Sequence, residues 1–239
     1  MLLLYQTSFI RQSWSDKMTH YNILLWKQDA THLATDKEIK DFFSKLNIIG
    51  KKIKSIKILG RDYDHDREGV EELAFLQLEK LLSEKQAKEK AEFSNIPKDL
   101  MFYRIAEVDE PIVIELNDGR RLEFLILELD NTVYADVNKI SPNATWDINP
   151  ANVNGNVMFS PCVGQTIKAV EFPVHKHSFG QEEEYQQIPD VLIRLENGTG
   201  LKIEGWFDFC DIECVDSKNQ PLKISFKDLK KGLHNKEDE

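Results

Sequence analysis

The sequence has no apolar run approaching the ~18 residues that a membrane-spanning helix needs. It has three cysteines, an odd number and too few for a disulfide framework. It is poor in positive charge: 31 basic against 41 acidic side chains leave a net charge of −10, which speaks against a general nucleic-acid binder. It also lacks the usual catalytic signatures. There is no Gly-x-Ser-x-Gly, no phosphate-binding Gly-x-x-x-x-Gly-Lys-Ser/Thr, no Gly-x-Gly-x-x-Gly after a strand and no His-Glu-x-x-His. That lowers the expectation of an enzyme without removing it, because acid–base sites are often built from scattered residues. No basic residue precedes the short apolar run Leu2 to Tyr5, so no secretory signal is expected. These absences together predict a cytoplasmic chain with no membrane, nucleic-acid or cofactor partner.

What is present is enough for a core. The chain has 239 residues, 41% of them hydrophobic and 30% charged, consistent with one large domain or two small ones. The charge is uneven. Residues 1–100 carry 17 basic and 16 acidic side chains, whereas residues 101–239 carry 14 and 25, a net of −11. An acidic second part repels phosphate backbones and anionic surfaces and favours a basic protein partner.

Hydrophobic spacing places the elements. Residues 21–27 read as a buried strand, and residues 36–46 as an amphipathic helix. Thr35 and Glu38 form a capping box there, and Ile39, Phe42, Phe43 and Leu46 share one face. Residues 52–59 alternate as a strand. Residues 69–91 carry a long helical stripe through Val70, Leu73, Ala74, Leu78 and Leu81. Beyond residue 111 the pattern is nearly all β. Runs 112–116 and 122–127 flank Asn117-Asp118-Gly119 in a hairpin pattern, and residues 132–137 and 222–226 follow as further strands.

Two stretches repeat. Gly50, Ile53, Ile56 and Ile58 recur as Gly164, Ile167, Val170 and Phe172, an offset of 114; residues 113–124 recur as 192–203, an offset of 79. Each copy reads as a strand, a connection and a hairpin whose single apolar face needs a partner. The expected fold class is therefore α+β: mostly antiparallel β from two related halves, with an N-terminal amphipathic helix and a long helix inserted in the first half. The expected organisation is an extension outside the fold (1–17), a first half (18–137) with the inserted helix 69–91, an Asn/Pro-rich connecting loop (138–162), a second β-rich half packed on the first (163–233) and a charged tail (234–239).

Candidate sites are few. Aromatics and acids mix at Trp206, Asp208, Asp211 and Glu213, a pattern suited to a partner-binding patch. Trp146 lies in the 138–162 loop, a second place for binding. Asp62, Asp64 and Asp66 offer oxygens at alternate positions, but the Ca²⁺-loop glycine is missing at the sixth position, so at most a weak divalent-cation site is expected. His175 and His177 are read as loop histidines rather than zinc ligands. Cys210 and Cys214, four residues apart in a strand, are about 13 Å from one another and cannot bond. Three functions follow. The first is a binding or interaction protein, inhibitor- or immunity-like, with a basic partner. The second is an enzyme with a metal-assisted carboxylate site. The third is a structural or oligomerisation module.

Overall fold

The computed structural model describes residues 20–21, 23–59, 99–108, 111–127, 130–140, 145–146, 152–174, 176–179, 182–185, 188–205 and 210–228. In chain order these form β1 (His20–Tyr21), α1 (Ile23–Asp29), β2 (Thr31–Leu33), α2 (Asp36–Leu46) and β3 (Ile53–Leu59). Next come β4 (Met101–Tyr103), β5 (Ile105–Val108), β6 (Ile112–Leu116), β7 (Arg121–Leu127), β8 (Thr132–Val137), β9 (Thr145–Trp146), β10 (Asn152–Asn154) and α3 (Gly155–Met158). The remainder are β11 (Ile167–Glu171), β12 (Lys176–Phe179), β13 (Glu182–Tyr185), β14 (Val191–Leu195), β15 (Gly200–Gly205), β16 (Cys210–Val215) and β17 (Lys223–Ser225).

The α+β class is corrected by this inventory. Among the described residues the structure is mostly antiparallel sheet, 49% strand against 16% helix, with three short helices. The expected inserted helix 69–91, the extension 1–17 and the tail 234–239 lie outside the described residues. Strand was expected over residues 21–27, but from Ile23 the chain is helical, and α1 runs to Asp29. A short apolar run does not distinguish buried strand from buried helix, and here one residue of the run, Trp26, seals the helix onto the sheet at 1% exposure. Helix α2 has the capping box that Thr35 and Glu38 call for: the Thr35 hydroxyl accepts the Glu38 N–H at 3.2 Å, and the Glu38 carboxylate accepts the Thr35 N–H at 3.0 Å. No described helix is long and apolar enough to cross a membrane.

Two sheets carry the body. The first has the order β10-β3-β6-β7-β8-β2, the second β11-β14-β15-β16-β5. Apart from β10, which has no counterpart, their registers coincide strand for strand. Ile53 pairs with Leu116 and Ile56 with Ile114; at offsets of 114 and 79, Ile167 pairs with Leu195 and Val170 with Ile193, and both ladders carry an irregularity at the same place. Ile112–Phe124 and Ile114–Leu122 match Val191–Ile203 and Ile193–Leu201. The correspondence continues outward, from β8 to β16 and from β2 to β5. Both hairpins turn at a glycine in the left-handed region, Gly119 at φ 86° and Gly198 at φ 85°, where a side chain is strained.

The copies meet about an approximate two-fold axis at an antiparallel bridge between Lys52 and Thr166. The Gly50 N–H donates to the Ile167 carbonyl at 2.8 Å, and its counterpart, the Gly164 N–H, donates to Ile53 at 2.7 Å. Ile53 donates to Gln165 at 2.9 Å, and Ile167 to Lys51 at 2.8 Å. Strand β7 packs on β15 and β16, so the apolar inner faces close over one core. Ile53, Ile114, Ile126, Ile193, Leu201 and Ile203 are all fully buried there. Burial of that apolar area is the main stabilising term.

The chain is interleaved between the sheets. β5 pairs with β16 in the second sheet, although it precedes β6–β8 of the first. Within 138–162, expected as loop, β10 extends the first sheet beside β3, and α3 leads into β11. β12 and β13 form a two-stranded sheet of their own between β11 and β14.

Candidate functional site

The outer faces of the two sheets differ where their registers agree. Across β7, β8 and β2 the first sheet sets Leu125 opposite Tyr134 and Tyr134 opposite His32. The corresponding row across β15, β16 and β5 is Glu204, Asp211 and Glu107.

Helix α1 closes the first row. The Trp26 ring lies 6.5 Å from that of Tyr134, His32 meets Tyr134 edge-on at 4.8 Å, and Lys27 Nζ sits 4.7 Å over the Tyr134 ring. The Tyr134 hydroxyl donates to Asp130 at 2.7 Å. Burial, together with that carboxylate, pushes the phenol up to about 12.

The second row sets three acidic residues next to one another in register. Like charges directly opposite on a sheet disfavour each other, and here Glu204 is held by Lys202. Beside it, Lys202 Nζ contacts Glu204 at 2.5 Å and lies 4.0 Å from Glu213. Glu213 is 8% exposed, and burial pushes its carboxyl up to about 7, with Glu204 adding and Lys202 opposing. Burial works against the charge on Lys202, but the Glu204 hydrogen bond and the surrounding carboxylates outweigh it and raise its pKa. In the first sheet Glu123 occupies the place of Lys202. It accepts N–H bonds from Ile140 at 2.9 Å and Lys139 at 3.2 Å, and burial pushes it up to about 7 as well.

The sequence-derived candidates are thus separated. Asp211 and Glu213 lie on β16, Asp211 half-buried within the acidic row and Glu213 buried beside Lys202. Trp146 is on β9, which pairs in parallel with β1 opposite Tyr21. Trp206, Asp208, Asp62, Asp64 and Asp66 lie outside the described residues, as does His175. His177 stands opposite Glu184 in the β12–β13 ribbon. Among the described residues no group of three His, Cys, Asp or Glu side chains is placed to hold a metal ion.

Sequence spacing missed three features. Glu107 and Glu204 join Asp211 only through strand pairing, and Lys202 meets Glu213 the same way. The third is a thiol pair: Cys162 Sγ lies 3.2 Å from Cys214 Sγ, both buried, so the neighbour of Cys214 is distant in the chain rather than Cys210. The register correspondence is the signal that would have found the first two. No protein-family model matches the chain, and no curated protein or solved structure matches it.

Proposed function

We propose that the chain is a cytoplasmic binding protein whose second half engages a basic protein partner, in the manner of an inhibitor or immunity protein. The observation that supports this reading is the row Glu204–Asp211–Glu107, which runs to β5 at the edge of its sheet. Three acidic positions in register on neighbouring strands suit a lysine- or arginine-bearing surface by charge complementarity. The ribbon β12–β13 adds Glu182, Glu183 and Glu184 in consecutive positions. The net charge of −11 over residues 101–239 would steer such a partner from a distance. Asp208 and Trp206, candidates from the sequence, precede β16 in the chain.

The test is binding of a lysine-rich peptide, measured calorimetrically at low and high salt. It compares the double variant Glu107→Gln/Asp211→Asn with a control that removes as many charges elsewhere, Asp29→Asn/Asp41→Asn. The reading expects roughly ten-fold weaker binding for the first variant at low salt, a much smaller effect for the control, and loss of the difference at high salt. Equal weakening by both pairs would leave only overall charge and sink the assignment to this row.

A further inference from the structure

We propose that Cys162 and Cys214 form an oxidative modification site, a buried dithiol that closes into a disulfide and ties the turn after α3 to β16. The sulfurs are 3.2 Å apart, and bonded sulfurs lie about 2.05 Å apart, so closure needs an approach of roughly 1 Å.

Both ends are held in place. The Cys162 N–H donates to Phe159 at 2.8 Å, and the Cys162 carbonyl accepts Gln165 at 3.3 Å. The Cys214 N–H donates to Arg104 at 2.9 Å, and its carbonyl accepts Leu222 at 2.8 Å. Arg104 braces the turn: its Nη1 donates to the carbonyls of Met158 and, at 3.2 Å, Val157, while its Nε donates to Lys223 at 3.3 Å. The guanidinium lies within electrostatic reach of both thiols. A second observation comes from the other copy. The positions corresponding to Cys162 and Cys214 in the first copy are the aliphatic Ile48 and Val137, so the two thiols belong to the second copy alone.

The oxidant is hydrogen peroxide. One thiol attacks the peroxide oxygen, giving a sulfenic acid and one water. The second thiol displaces the sulfenic oxygen as a second water, forming the S–S bond. Two thiol hydrogens and two electrons leave the protein, and peroxide takes both. Burial and the neighbouring thiol push Cys162 up and disfavour its thiolate, so closure is slow and is gated by local opening.

The experiment treats the full chain with hydrogen peroxide, with and without about 1 M urea to promote local opening, then alkylates, digests and maps the peptides by mass. The expected result is one cross-link, between Cys162 and Cys214, with Cys210 alkylated. The oxidised protein melts about 5–10 °C higher, and a dithiol reductant reverses the gain. Cys210→Ala keeps the shift, and Cys162→Ser on the otherwise native chain loses it. A link through Cys210, over-oxidised but unlinked Cys162 or Cys214, or no link in either urea arm would each overturn the proposal.

Discussion

One backbone register carries two different outer faces. In the first sheet, Leu125, Tyr134 and His32 lie in a row that Trp26 and Lys27 of α1 cover with rings and a cation. In the second, the same row reads Glu204, Asp211 and Glu107. The inner faces stay apolar in both, because they share one core and each constrains the other. The outer faces carry no such mutual constraint, so they are where the copies diverged. The flanking ion pairs differ as well. Glu115 meets Lys54 at 2.7 Å in the first sheet, while at the position of Glu115 the second has Arg194, which meets Glu171 at 3.0 Å.

The strongest way to break this comparison is in the shared core. Phe124→Ala should lower stability by about 3–5 kcal/mol and the corresponding Ile203→Ala by about 2–5 kcal/mol. Each should shift one cooperative melting transition followed by circular dichroism; two separate transitions would mean that the sheets do not share a core. Exchanging the outer faces sharpens the contrast. Leu125→Glu places a carboxylate at a fully buried position and should cost about 3–5 kcal/mol, whereas Glu204→Leu, which leaves part-buried Lys202 only Glu213 at 4.0 Å, should cost less, about 1–3 kcal/mol, read by urea denaturation. A symmetric result would show that the faces are equally permissive.

A smaller effect follows from two carboxyls, Glu123 and Glu213, one in each sheet and both pushed up to about 7 by burial. A folded-state pKa above the unfolded value favours the protonated form in the fold. The contribution is therefore full below the ordinary value near 4.5 and is lost as pH rises through about 7. Stability should fall by roughly 1–3 kcal/mol per group between pH 5 and pH 8, and Glu123→Gln or Glu213→Gln should each flatten the profile. A slope of opposite sign would contradict the burial assigned to both. The smallest effect belongs to the cap of α2. Thr35→Ala should cost about 1 kcal/mol by removing a bond to the Glu38 N–H, measured by thermal melting.

Much of this architecture was visible in residue order alone. Ile53, Ile56 and Ile58 alternate, Asp118-Gly119 signals the hairpin, and the offsets of 114 and 79 are those at which the ladders coincide. The balance of strand and helix is not legible in the sequence, and α1 looks like strand there because seven residues with one decisive tryptophan carry too little periodicity. The pairing of β5 with β16 was hidden for a different reason. Four residues beginning at Ile105 share little with β2, and only hydrogen bonding to a strand a hundred positions later reveals the match. The acidic row and the thiol pair were invisible for the same reason, since both join residues far apart in sequence. Asp211 and Glu213 look alike on paper; strand alternation and Lys202 separate a half-buried acid from a buried one.

The interleaving of β5 has a consequence for anyone who would take the molecule apart. No single cut yields a segment that holds all of one sheet and none of the other, because the strand at residues 105–108 is stitched to a sheet completed only at residue 215. A fragment ending after Val137 would keep the first ladder but leave β5 without its partner, exposing an open seam. During synthesis that seam stays unsewn until residue 215 has been made, about a hundred positions after β5, so the final stitch should set the pace of folding.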